Sequence, residues 1–387
     1  MAGHEVDILC RAEPDEPRTE RNGLVTVRRL PVKRCDGGGL CYLLSYITFL
    51  LIAAVVVAAL HVRRRYHLVQ VNTIPDALVF AAAVPRLLGA RVLLDLHECM
   101  PEFFATKFKT GMEHPGVWLL ARLEQASIRF ADYAMTCTEQ MRQAFVMRGA
   151  DEARIGVIHN GSDEALFNPE RYPRTGRDRN RFVLISHGMI DERYGLDTII
   201  RAVGLLKGEI PGLRLDIYGD GPYREDLRSL AERLNVEREV YFSPGIVPWE
   251  ELIRAIAAAD VGVVAMKRDA FRDLTLCNKM YDFIAMRKPV ISSHTRSVEE
   301  YYGESCFLLF SSGNERELAQ AIWELYENPG LGEQLMRETA RVNEPYRWPH
   351  QGQLYLRIVE SLLGNRNCSD RFVTTTNDHE GSLDGSV

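Results

Sequence analysis

The sequence predicts an α/β protein of two domains, each built on a parallel sheet. Three observations carry this. At 387 residues the chain exceeds what one hydrophobic core usually serves. Short β-branched runs alternate with stretches of helical period almost from end to end, which is the pattern of βαβ units. A polar stretch rich in arginine and broken by prolines, residues 168–180, divides that alternation into two halves of the same kind. The net charge of −6 gives no reason to expect a nucleic-acid partner. The eight cysteines show neither a CxxC pair nor zinc spacing, so reduced thiols in a cytosolic setting are expected.

Taken in order, the first half offers strands at Val6–Cys10, Leu24–Arg28, Leu68–Asn72, Arg91–Leu96, Tyr133–Thr136 and Ile155–Ile158, and Asn160-Gly161 closes it with a turn. No signal peptide is expected, because the first strand begins almost at once. Between the second and third strands lies an apolar run, Cys41–Val62, without Asp, Glu, Lys or Arg. Its length meets the rule for a bilayer span, and Arg63, Arg64 and Arg65 follow as a positive-inside flank. A span would cut residues 1–40 off from the sheet their strands must join. A helix buried against a sheet, or lying partly in a bilayer surface, is therefore expected, with a single transmembrane helix at 41–62 as the alternative.

The second half opens with a buried strand, "RFVLISHG", and a helix at Leu196–Leu206. "LRLDIYGDG" is a strand ending in glycines, followed by a helix at Tyr223–Leu234 and a strand at Val240–Phe242. Next come a helix at Glu250–Ala259 and the strand "DVGVVAM". A short helix opens at Asn278, and strands at Val290–Ser292 and Phe307–Leu309 and a helix at Asn314–Tyr326 complete the alternation. "PYRWPHQGQLYLRIVESLLG" is a break and one more helix, and the tail from Asn365 has no apolar period.

Ligands of open α/β sheets bind beyond the carboxyl ends of strands, which selects the candidate residues. In "NKMYDFIAMRKPVIS", Met280, Phe283 and Ile284 form an apolar stripe, while Asn278, Lys279 and Asp282 gather in the first turn on the other side. Asn278 as a cap and Lys279–Asp282 as a solvated pair is one reading. An anion site at a helix N-terminus, with a carboxylate for sugar hydroxyls, is the other. "HGMIDERYGLD" brings Gly188 and Arg193 to the end of a strand, "YGDGP" brings Gly219 and Gly221, and "FSPGIV" brings Gly245. In the first half, "DLHECMPE" places His97 and Glu98 among Asp95 and Glu102.

With these residues assembled, the chain resembles the retaining glycosyltransferases of family 4, whose GT-B architecture has two Rossmann-like domains. The resemblance covers about residues 3–362. It rests on "HGMIDERYGLDTIIRA", "IYGDGP", "NKMYDFIAMRKPVIS" and the D-x-H-E…P-E stretch from Asp95. It implies an acceptor-side domain at 1–170, completed by a crossing helix at 346–363, a nucleotide-sugar domain at 178–345, and a disordered tail at 365–387. The acidic residue that binds the nucleotide ribose falls on Asp282. The glutamate expected eight residues earlier is replaced by Leu274, with Asp273 beside it as the substitute for the donor-sugar contact. Met189 and Tyr194 stand where the family has a basic pair, which leaves Arg193 to partner Lys279 on the diphosphate, with Asn278 alongside. His97 matches the histidine near the reacting sugar, and Glu98 and Asn160 are expected on the acceptor side. The start at "GHEV" resembles the end of the family's first helix, so the first strand is expected to be missing.

The implied activity is metal-independent hexosyl transfer with retention, from a nucleotide-diphosphate sugar to a glycan or lipid-linked acceptor. No DxD-like metal motif is evident, and no cofactor is expected, the nucleotide-sugar being a substrate. The implied setting is cell-surface polysaccharide or glycolipid synthesis, by a peripheral protein on the inner face of the membrane. The rivals are a nucleotide-sugar epimerase of the same architecture and an inactive membrane-bound scaffold.

Overall fold

The computed structural model describes residues 3–13, 16–32, 39–173 and 181–364. Part of the expected linker, 174–180, and the expected disordered tail fall outside these. In chain order the first domain holds β1 (Val6–Arg11), β2 (Thr19–Asn22), β3 (Val25–Leu30), α1 (Gly39–Arg64), β4 (Leu68–Asn72), α2 (Ala83–Leu87), β5 (Arg91–Leu96), α3 (Met100–Phe108), α4 (Pro115–Phe130), β6 (Tyr133–Thr136), α5 (Glu139–Met147) and β7 (Ile155–Val157). The second holds β8 (Phe182–His187), α6 (Leu196–Leu206), β9 (Leu213–Tyr218), α7 (Arg224–Arg233), β10 (Val240–Phe242), α8 (Trp249–Ala258), β11 (Val261–Val264), α9 (Asn278–Ala285), β12 (Val290–Ser293), α10 (Arg296–Tyr301), α11 (Gly303–Cys306), β13 (Leu308–Phe310), α12 (Glu315–Glu327) and α13 (Pro329–Asn343). The last helix, α14, runs from Trp348 to Gly364.

The second domain is a Rossmann-like unit. Its six strands are all parallel, in the order β10-β9-β8-β11-β12-β13. Both faces are covered, so β8 and β11 are buried along their whole length, as parallel strands require. The chain leaves β8 towards β9 on one side and returns to β11 on the other. The ends of these two strands are therefore the topological switch point, where a crevice forms. Helix α9 packs directly on β11 there. A Cβ on Gly262 would lie 2.4 Å from the Phe283 ring, so only glycine lets the helix come this close.

The first domain departs from the expected single sheet. β4-β5-β6-β7 form one parallel sheet, but β1, β3 and β2 form a separate one, in which β2 runs antiparallel to β3. Among the described residues β1 pairs only with β3, and β4 only with β5, so no ladder joins the two sheets. Side chains and α1 make the link instead. Asp7 on β1 accepts hydrogen bonds from Tyr66 at 2.7 Å and Arg64 at 2.9 Å, at the entrance to β4. Ala53 of α1 packs with Leu30 and Val32 on one side and with Ala81 on the other.

The apolar run is thus one helix with two faces. Ala53, Val57 and His61 point inward, while Leu44, Leu51, Val55 and Val62 form an exposed apolar stripe. Two further features were not foreseen. α13 follows α12 where no element was expected, and Cys41 is disulfide-bonded, against the expectation of reduced thiols. Cys10, Cys99, Cys137, Cys277 and Cys306 are free. α14 returns to the first domain, where Ile358 and Val359 pack on Leu93 and Met135.

Candidate active site

The switch point gathers most of the second-domain candidates. β8 ends in His187, and Gly188 follows it. A Cβ on Gly188 would meet the end of the Lys279 side chain at 3.9–4.0 Å, so Lys279 lies against the glycine turn. Gly219, at φ +139°, closes on the same turn, because a Cβ there would stand 1.9 Å from the Gly188 carbonyl oxygen. Gly221 makes the same approach to Ile190. Ser243 and Arg224, neither anticipated, fix these loops. The Gly219 N–H donates to Ser243 Oγ at 3.0 Å, and that hydroxyl donates to the Gly245 carbonyl at 2.6 Å. The Arg224 guanidinium donates to the Gly219 and Ser243 carbonyls.

Helix α9 starts where the sequence places it, but Asn278 is its first residue rather than its cap. The cap position is Cys277, which makes no side-chain capping bond. The first-turn N–H groups therefore lack the usual side-chain acceptor and carry the positive end of the dipole. Lys279 is 7% exposed and makes no hydrogen bond or ion pair among the described residues. Its ammonium lies 4.6 Å from the centroid of the Tyr194 ring. Burial pushes its pKa down, and the charge of Arg272 adds to this. An unpaired buried ammonium costs several kcal/mol, a cost that an anion at this helix start would relieve.

Asp282 projects from the same helix towards the loop that leaves the first domain. It accepts a 2.7 Å hydrogen bond from Ser162 Oγ, and its other oxygen lies 3.5 Å from His187 Nε2, too far for a good bond. Burial raises its pKa to about 6, against the pull of the Ser162 bond. His187, also unanticipated, is driven to about 3 by burial and the Lys279 charge, so it is neutral. Asn160 donates to Asn278 at 3.2 Å across the same junction.

Arg193 is partly engaged, its Nε donating to Asp191 at 2.9 Å. Asp273 is not free for a donor sugar. Its carboxylate holds Arg268 at 2.9 Å and accepts the Arg296 N–H at 3.0 Å, so it anchors α10 instead. Arg272, next to it, was passed over by the sequence reading, yet its guanidinium lies by Tyr194.

On the first-domain side His97 stands at the end of β5 between two partners. Nε2 is 3.2 Å from Asp95, and Nδ1 is 3.7 Å from Cys137 Sγ. The Asp95 bond, seconded by Cys137, raises its pKa to about 10, so the ring is an imidazolium at neutral pH. Both nitrogens are occupied, and a sugar would reach one only by displacing a partner. Glu98 has a buried Oε2 without a hydrogen-bond partner. Burial raises its pKa, and the charges of Arg272 and Arg193 across the cleft oppose the rise.

Comparison with known proteins bears on the fold and the family. Residues 1–161 match the family model of a glycosyl transferase 4-like domain, and residues 181–328 that of glycosyl transferases group 1. The chain is 22% identical over 288 residues to the sulfoquinovosyl transferase SQD2 of Arabidopsis thaliana, covering 71% of this chain and 52% of the other. It spans about half the length of several curated relatives that it matches. Among solved structures, sucrose-phosphate synthase from Thermosynechococcus elongatus superposes with a TM-score of 0.71 at 22% identity, over 93% of this chain and 90% of that one. The Anabaena protein Alr3699/HepE, solved with UDP-glucose, superposes with a TM-score of 0.68 at 15% identity, over 92% and 99%. At these identities the superpositions establish the shared two-domain GT-B fold.

Proposed function

We infer that this chain, whose two halves match a glycosyl transferase 4-like domain and a glycosyl transferases group 1 domain, is a group 1 glycosyltransferase using a nucleotide-diphosphate sugar. One observation carries the reading. Lys279 is buried without a hydrogen bond or ion pair among the described residues, at an uncapped helix start and against the glycine turn after β8. A diphosphate supplies the missing charge and accepts the free N–H groups. The UDP-glucose bound by the Anabaena protein makes UDP-sugars the first donors to examine.

In this reading Asp282 accepts the ribose hydroxyls. Lys279, Arg193 and the start of α9 neutralise the leaving diphosphate, work that a metal ion does in other sites. The anomeric carbon gains positive character as its bond to the phosphate oxygen breaks, and the acceptor hydroxyl attacks from the same face, with retention, passing its proton to the departing phosphate oxygen. His97, charged at neutral pH, orients the sugar by donating a hydrogen bond after exchanging a partner, and it is not the base. Glu98, on the opposite wall, receives a hydroxyl of a glycan or lipid-linked acceptor. The exposed stripe of α1 fits a protein lying on the inner membrane face, engaged in surface polysaccharide or glycolipid synthesis.

The test is a thermal-shift screen of nucleotide-sugars and nucleoside diphosphates. Ligand at a hundred times its Kd adds about 2.7 kcal/mol to stability. A specific shift with one nucleotide family is expected, and none with any would sink the reading. Incubation of that donor without acceptor must leave its sugar unepimerised. The anomeric configuration of the product, read by NMR, must match that of the donor.

A further inference from the structure

Arg272 lies in the turn between β11 and α9. Its guanidinium carbon is 5.6 Å from the centroid of Tyr194 and 5.2 Å from that of Phe271. Its Nε is buried without a hydrogen-bond partner. Among the described residues no carboxylate pairs with it. Lys279 shares the Tyr194 ring, with its ammonium 4.6 Å from the same centroid.

One aromatic ring therefore seats two cations without a counter-ion among the described residues, Lys279 buried and Arg272 half-buried with its Nε out of water. Cation–π contact offsets only part of what such a pair loses in hydration and mutual repulsion. The repulsion has a second sign, since the charge of Arg272 helps to depress the Lys279 pKa. Two adjacent anionic groups would satisfy both. A guanidinium offers a planar fork that matches two phosphate oxygens, while an ammonium offers a compact point charge. Glu98, which faces Arg272 and Arg193 from the other domain, is not close enough to pair with either.

We propose that Arg272 binds the diphosphate of the donor, in partnership with Lys279 across the shared Tyr194 ring. This rests on the reading of the cleft as a nucleotide-sugar site. Tyr194 thereby becomes a positioning residue for both cations.

The experiment uses the full chain and calorimetry with UDP, GDP, ADP, CDP and dTDP. The diphosphate that the parent binds best is then compared with its matching nucleoside, followed by NMR. Arg272→Gln should weaken the diphosphate at least tenfold and leave the nucleoside within about twofold. It should also flatten the salt dependence of diphosphate binding. Arg272→Lys, which keeps the charge but not the fork, should recover part of the loss. Equal losses for diphosphate and nucleoside make Arg272 merely structural and overturn the proposal. Undiminished diphosphate binding in Arg272→Gln overturns it too. If Lys279→Gln is weakened in that case, the donor reading stands and the role of Arg272 alone falls. A parent chain that binds none of the five diphosphates overturns both.

Discussion

Ser162 Oγ donates a 2.7 Å hydrogen bond to Oδ1 of Asp282, joining the loop that leaves the first domain to helix α9 of the second. Asn160 and Asn278 repeat the connection at 3.2 Å. On the proposed reading, a ribose would compete with Ser162 for Asp282 or use the oxygen that faces His187.

The first prediction concerns pH. Burial holds the Asp282 carboxyl near 6, above its ordinary value. Folding thus favours its protonated form, and ionisation costs stability as pH rises from the ordinary carboxylate range through 6. Ligand affinity runs the other way, because only the ionised form makes charge-assisted bonds to hydroxyls. Affinity for a nucleotide-sugar, whose phosphates do not titrate here, should rise about tenfold from pH 5 to pH 7. Asp282→Asn should be flat with pH and weaker by roughly 1.5–3 kcal/mol per lost bond. Calorimetry across this range decides, and a pH-independent parent removes Asp282 from the site.

Lys279→Ala should lower turnover by about 10²–10³ at saturating donor, the usual loss for one electrostatic contact to the leaving group. Initial rates measure this. A fall of less than about fivefold would leave Lys279 without a part in the chemistry.

Arg148 should prove the most sensitive position in the first-domain core. It donates to Glu102 at 2.7 Å and twice to Glu124 at 2.8 Å, and Glu124 is fully buried. Arg148→Met strands both carboxylates, at a cost of about 3–5 kcal/mol. Replacing all three by apolar residues of similar volume should restore much of the stability. Denaturant unfolding followed by a first-domain probe compares them, and a single variant as stable as the parent contradicts the account.

Membrane attachment should be peripheral. Each basic residue near an anionic surface contributes about 1 kcal/mol, but Arg64 is already paired with Asp7 at 2.9 Å, which leaves Arg63 and Arg65 for lipid. Helix α1 is long and apolar enough to cross a bilayer, yet its inner face packs on β3 and on the segment before α2. Carbonate or high salt should release the protein, and Leu51→Asp with Val55→Asp should abolish attachment without unfolding it. Release by detergent alone, with residues 1–40 protected from protease on the far side, would instead establish a span.

The second domain was legible because parallel strands buried on both faces read as continuous apolar runs, and "RFVLISHG" could hardly be anything else. Asn278, Lys279 and Asp282 were legible because helical spacing sets them on the face away from Met280 and Phe283. The sheet break in the first domain was not, since pairing is a long-range choice and Val6–Cys10 looks alike as an edge or a centre. β2 escaped notice because "TERN" is polar and exposed on both faces. His187 closes the run "RFVLISH", and its position at a strand end was the available clue. Arg272 offered none, because its importance comes from Tyr194, nearly eighty residues away in sequence. Asp273 misled for the converse reason: its neighbours Arg268 and Arg296 claim it only in three dimensions.

The missing ladder between β1 and β4 also divides the first domain mechanically. A sheet opens cooperatively only as far as its hydrogen bonds run, so β1 to β3 form a unit tied on by Asp7 and one face of α1. Their amides should exchange with solvent through an opening that costs less than unfolding the Leu93–Met135 core, and β8 and β11 should be the last to exchange. The first domain would then carry a loosely fastened flap beside its rigid four-stranded sheet.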